Sequence, residues 1–131
     1  MISWFEKHNK LSWIITLIIV VMIFYISSIE FEPSVPGGGI SIYPTLYHIV
    51  AFFFLALFLS ISMVRGKNTG LFFLVIILSV TYGISDELHQ FFVPGRNTSI
   101  SDVFLDSVGI VFAIISYFIY IEYRKRIKTL S

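Results

Sequence analysis

The stretch Leu71-Phe-Phe-Leu-Val-Ile-Ile-Leu-Ser-Val-Thr-Tyr82-Gly-Ile-Ser-Asp-Glu-Leu-His-Gln-Phe-Phe-Val-Pro-Gly-Arg96 decides the fold. Its first half is almost wholly apolar, and its second half carries Asp86, Glu87, His89 and Arg96 before stopping at Pro94-Gly95. A run of this kind suits a bilayer, whose hydrocarbon is spanned by about 20 apolar residues in a helix. With no helix breaker before Pro94, a span is expected over 71–93, about 34 Å at 1.5 Å per residue. Ionisable groups at the margin of such a span are costly, so their concentration is a functional-site hypothesis.

The rest of the chain agrees with a membrane setting. Of 131 residues, 56% are hydrophobic and 13% charged, against about a quarter charged in soluble globular domains. Leu11–Ile29 is a first apolar run, longer than a cleavable signal core and followed by no small-residue cleavage site, so it is expected as a retained helix. Glu30–Pro44, with Pro33, Pro36, Gly37 to Gly39 and Pro44, is expected as a loop. A second span covers 45–64 and ends at Arg65-Gly66-Lys67-Asn68; a fourth covers 102–123, its start marked by the Ser99-x-x-Asp102 spacing of a helix N-terminus. The expected fold is all-α, a four-span bundle forming one domain over 1–131. The absence of cysteine excludes disulfides and thiolate chemistry, and nothing in the charge pattern supports nucleic-acid binding.

Lys7, Lys10, Arg65, Lys67, Arg124, Lys125, Arg126 and Lys128 all fall on one side of this arrangement, and only Arg96 falls on the other. By the positive-inside rule both termini are expected in the cytoplasm, in the plasma membrane, with the acidic cluster facing outward. Tyr117, Tyr120, Tyr123, Trp4 and Trp13 are expected as an interfacial aromatic belt.

Helical spacing places Ser79, Tyr82, Asp86 and His89 or Gln90 on one stripe of the third span, with Glu87 about 100° away on a neighbouring surface. On the fourth span Asp102, Asp106, Gly109 and Ala113 share a face, two carboxylates above two small residues that permit close helix approach. His48 is the only ionisable group of the second span. These groups lie at similar depth and are expected to converge on one pocket. Asp86, Glu87 and His89 are the candidate catalytic residues, as general acid and base. Arg96, Gln90, Tyr82, Asp102 and Asp106 are candidates for substrate binding. Asp86, Glu87, His89 and His48 have the chemistry to hold a divalent cation, since four carboxylates against one arginine call for neutralisation or a bound ion. Structural alternatives stand beside these: Asp102 as a helix cap, His48 as a hydrogen-bonded bundle residue.

The run from Tyr82 to Arg96, followed by Ser101-Asp102-Val103 and Gly109, resembles the signature of the VanZ-like family, small membrane proteins whose namesake is associated with teicoplanin resistance. The resemblance places Asp86, Glu87, His89, Gln90, Pro94, Gly95, Arg96 and Asp102 at motif positions. It departs from the family at Pro44-Thr45, where an Asp-Lys pair is common, and at Asp106, where an amide is common. It implies a role in handling a membrane lipid or lipid-linked wall precursor, with glycopeptide tolerance as the outcome. The alternatives are a proton- or cation-coupled binding or transport module, as a homo-oligomer, and a structural membrane partner without catalysis.

Overall fold

The computed structural model describes residues 1–30, 42–96 and 98–130, all helix and short turns. The helices are α1 (Ile2–Lys7), α2 (Asn9–Ser27), α3 (Ile42–Val64), α4 (Phe72–Gln90) and α5 (Ile100–Leu130), with one 3₁₀ turn, Thr69–Leu71, leading into α4. Four of them are long and apolar enough to cross a membrane, so the chain is a four-span helical bundle. Most of the segment expected as a loop, residues 31–41, lies outside the described residues.

α2 and the start of α5 lie within two residues of expectation, and three other boundaries differ for identifiable reasons. α3 begins at Ile42 and so takes Pro44 into its first turn, where a missing N–H costs nothing because the first four donors of a helix have no intrahelical acceptor. α4 stops at Gln90, three residues early. Val93 precedes a proline and is sterically excluded from the helical region, and the chain tightens into bonds from Phe92 N to the His89 carbonyl (3.0 Å) and from Val93 N to the Gln90 carbonyl (3.0 Å). The turn closes from Arg96 N to the Val93 carbonyl (3.2 Å), with Gly95 at φ 78°: proline followed by a left-handed glycine, the pattern of a type II turn. α5 continues to Leu130, because Arg124, Lys125 and Lys128 are good helix formers and need not lie in the hydrocarbon. At 31 residues it is about 46 Å long.

A short helix not foreseen from the sequence, α1, folds against one end of the bundle. His8 breaks it from α2 with φ −94° and ψ 55° and stacks on Trp4 at 4.1 Å. Glu6, 8% exposed, accepts a hydrogen bond from Tyr117 (2.7 Å) and pairs with Arg124. Tyr117 therefore does not belong to an interfacial belt. It is fully buried, with its ring edge-on to Phe72, because Glu6 offers its hydroxyl a partner inside the bundle. Trp4, Trp13 and Tyr123 are exposed, as a belt requires.

α3 is the central helix, packed against α2, α4 and most extensively α5. Its buried face, including Phe52, Leu55, Ala56 and Leu59, meets Val75 of α4 and Ile110 and Ala113 of α5, while Phe73, Leu74, Ile76, Ile77 and Leu78 of α4 point outward. Where α3 and α5 cross, a Cβ added at Gly109 would collide with the Ile49 carbonyl and come within 3.0 Å of the Phe53 backbone nitrogen. The face of Asp102, Asp106, Gly109 and Ala113 anticipated from spacing is thus the one turned to α3.

Gly109→Ala forces that crossing apart, since neither neighbouring atom belongs to a side chain that can rotate away. A loss of about 1–3 kcal/mol, the usual range for overpacking, is expected as a lower midpoint in thermal unfolding of the detergent-solubilised protein.

Candidate functional site

The close approach of α5 to α3 brings two ionisable side chains together in the interior. His48, nearly two turns into α3, meets Asp106 of α5 with Nδ1 and Oδ1 2.9 Å apart. The residues are 3% and 1% exposed. An ionised carboxylate can only accept, so it assigns the proton to Nδ1. Nε2 then points the other way, 4.0 Å from Oδ2 of Asp102, a separation too long for a hydrogen bond. Asp102 sits in the first turn of α5 but does not cap it: Ser99 does, its Oγ accepting from Ser101 N (3.1 Å). The cap alternative for Asp102 is set aside by its position, one turn before Asp106 on the face directed at His48.

Glu87 completes the group from α4. Its Oε2 accepts the Ser99 N–H at 3.0 Å, so the same carboxylate that faces His48 ties α4 to the start of α5. One ligand atom from each of His48, Glu87 and Asp102 lies within 4.8 Å of the others, which makes these three the side chains placed to hold a cation. Three buried carboxylate oxygens in this region have no hydrogen-bond partner among the described residues: Oε1 of Glu87, Oδ2 of Asp106 and Oδ1 of Asp86. Buried acceptors are normally satisfied, so each such atom asks for an explanation. Gly83 contributes by absence of a side chain, since a Cβ there would lie 3.1 Å from Oδ2 of Asp106 and 3.2 Å from the Phe52 ring.

The polar stripe of α4 goes elsewhere. Tyr82 donates to the Val20 carbonyl of α2 (2.7 Å). Asp86, buried, accepts from Gln90 one turn on (2.8 Å), and Gln90 reaches Ser27 of α2 (3.4 Å). His89 bonds the Ser28 hydroxyl through Nε2 (2.9 Å) and stacks on Phe24 at 4.5 Å. Arg96 donates to the Ile26 carbonyl, also on α2. Thus the structure joins His48, Glu87, Asp102 and Asp106 in one cluster, places Asp86 and Gln90 along its α2 side, and turns Tyr82, His89 and Arg96 to α2. The ligand set expected from sequence, Asp86, Glu87, His89 and His48, is not brought together: Asp86 and His89 differ from Glu87 by about 100° and 200° around the helix, so one set of α4 residues cannot all face α5. Ser27 and Ser28, the partners of Gln90 and His89, had no signal in the sequence beyond being hydroxyls at the end of an apolar run.

A family model described as VanZ/LLP1 matches residues 12–121. Comparison with curated proteins and with solved structures finds no match.

Removing one member of the buried pair leaves the other without its partner. His48→Leu is expected to destabilise the protein by about 3–5 kcal/mol, whereas His48→Leu combined with Asp106→Leu recovers most of the loss, because an apolar pair carries no desolvation cost. Thermal unfolding of the two single variants and the double variant, read as a coupling cycle, checks this.

Proposed function

The chain belongs to the VanZ/LLP1 family, and from that premise we propose that it handles the phosphorylated headgroup of a cell-envelope lipid or lipid-linked wall precursor at the His48–Asp106 cluster. The observation carrying this reading is the hydrogen-bonded His48–Asp106 pair, buried inside a membrane-spanning bundle beside two further carboxylates. Ionisable groups in that setting are expensive and mark functional sites by default. In this reading His48, oriented by Asp106, presents Nε2 to the headgroup, Glu87 and Asp102 surround it, and Asp86 with Gln90 forms the wall toward α2. Arg96, on the turn beside the cluster, supplies positive charge for an anionic headgroup.

An apolar groove of about 370 Å³ between α2 and α3 supports a lipid as the object handled. Met22, Ile26, Val50 and Phe54 line it, and it ends at Tyr47, the residue before His48. The buried Tyr47 hydroxyl has no hydrogen-bond partner among the described residues. An acyl or prenyl chain lying in this groove has its polar end at the level of the cluster.

The orientation belongs to the same proposal. With eight basic residues on one side and Arg96 on the other, the cluster faces the cell exterior of the plasma membrane and both termini are cytoplasmic. A cysteine placed at Thr98 in this cysteine-free chain is expected to react with an impermeant thiol reagent applied to intact cells, and one at Asn68 to react only after lysis. The reverse pattern moves the site to the cytoplasmic face.

Function is tested by charge removal. Asp86→Asn and Glu87→Gln keep size and most hydrogen-bonding capacity but abolish the charge. Both are expected to accumulate in the membrane at the wild-type level while tolerance to a lipid-targeting glycopeptide such as teicoplanin falls to that of cells lacking the protein. Full tolerance in both variants removes the site from the function. Loss of tolerance only through failure to accumulate assigns the cluster to holding helices together.

A further inference from the structure

We propose that His48, Glu87 and Asp102 are the protein ligands of a divalent cation of the Zn²⁺ or Mn²⁺ type, with Asp106 as the positioning residue behind the histidine. The site deepens the reading above, since an ion here gives the headgroup phosphate a counter-charge that bare carboxylates lack.

Four independent features of the geometry converge. First, Asp106 accepts a hydrogen bond from Nδ1–H of His48 at 2.9 Å, which leaves the Nε2 lone pair directed into the cluster; metal-bound histidines almost always have a carboxylate or carbonyl on the distal nitrogen in this way. Second, Nε2 and Oδ2 of Asp102 stand 4.0 Å apart. Two ligands each about 2.1 Å from one ion lie about 3.4 Å apart at a tetrahedral angle, so the gap is too wide for a direct bond and closes onto a shared ion with a shift of roughly half an ångström.

Third, Glu87 is 8% exposed, its Oε2 is fixed by the Ser99 N–H, and its buried Oε1 has no partner among the described residues. A desolvated carboxylate oxygen held in place with nothing to accept from is costly unless something positive meets it. The three ligand atoms lie within 4.8 Å of one another, so closing onto one ion takes a shift of about 1 Å toward the tetrahedral spacing, to which Asp102, with its side chain 26% exposed, has room to contribute. Fourth, a crevice of about 300 Å³ between α4 and α5, lined by Phe91, Thr98, Ser99 and Val103, reaches one of the three ligands, Glu87. Three protein ligands with an approach of this kind leave positions for water or a phosphate oxygen, as in open catalytic sites.

The donor set narrows the ion. One imidazole with two carboxylates suits Zn²⁺ and Mn²⁺, which accept nitrogen and oxygen together, better than Mg²⁺ or Ca²⁺, which take oxygen.

The test uses the full chain in lipid nanodiscs, stripped with a chelator and titrated with Mn²⁺ while the free-ion paramagnetic resonance signal is followed, with Zn²⁺ as competitor. One saturable site per chain is expected, displaced by Zn²⁺. Glu87→Gln and Asp102→Asn are each expected to weaken binding at least 10-fold, and Asp106→Asn by about 10–100-fold, the range typical of a lost ligand-orienting carboxylate. His89→Gln, whose imidazole is engaged with Ser28, is expected to bind as the wild type does. Absence of saturable binding in the wild type overturns the proposal, as does a loss in His89→Gln equal to that in Glu87→Gln. If Glu87→Gln or Asp106→Asn does not fold, Asp102→Asn decides alone, because it leaves the His48–Asp106 pair intact. Metal binding is read without reference to tolerance: a chain that binds no ion yet needs Glu87 for tolerance keeps the proposed function and loses the ion, and the converse loses the function alone.

Discussion

The contact between α3 and α5 at Gly109 governs the rest of the molecule. Lipid tails are as apolar as the helices they surround, so burying leucine against leucine drives no association in a bilayer; close backbone packing and interhelical hydrogen bonds must do so. At Gly109 the α5 backbone rests on the Ile49 carbonyl and the Phe53 nitrogen, and Ala113 keeps the same face narrow one turn on. Only at that distance can His48 reach Asp106 across the interface. The bond then determines which imidazole nitrogen faces Asp102 and Glu87. Packing by a missing side chain and chemistry by a buried one are in this protein consecutive steps of a single contact.

A second polar lock stands at the other end of α5. Glu6 from α1 holds Tyr117 and Arg124 together, about 27 Å along the helix from Asp106, as judged by the 18 positions between Asp106 and Arg124. The two locks differ in composition. Glu6 has both oxygens occupied by donors, one from a phenol and one from a guanidinium, so its charge is met within the chain. Around His48, three carboxylates of the neighbourhood each keep an oxygen without a donor among the described residues. A bundle needing only to be fastened is served by the first arrangement. The second is the one that has capacity left for a proton, an ion or a headgroup.

α4 divides the polar groups between two neighbours. Helical geometry turns successive side chains by about 100°, so Tyr82, Asp86, His89 and Gln90 run along α2 while Glu87 alone crosses to α5. The α2 side is a chain of ordinary hydrogen bonds to Val20, Ser27 and Ser28, which sets the rotation of α4 about its own axis. That rotation is what aims Glu87 at His48. Residues adjacent in one dimension therefore split between a face turned to α2 and one side chain, Glu87, turned toward the His48–Asp106 pair.

The sequence by itself determined the fold class, the existence of four spans and the face of α5 that would be buried. These follow from run length, from spacing within one helix and from Pro94-Gly95, all of them local properties of the chain. It also pointed to the region of the buried polar cluster, because ionisable residues are rare enough in such a chain for a few within one segment to stand out. Partners on different helices were beyond its reach. Which of Asp86, Glu87 and His89 faces α5, that Tyr117 turns inward to Glu6, and that Asp102 looks at His48 while Ser99 caps α5, depend on the rotation and offset of helices joined by segments whose sequences do not encode those quantities. Only the packed bundle decided them, since the angle at which two helices meet is set by where small residues on both allow their backbones to touch.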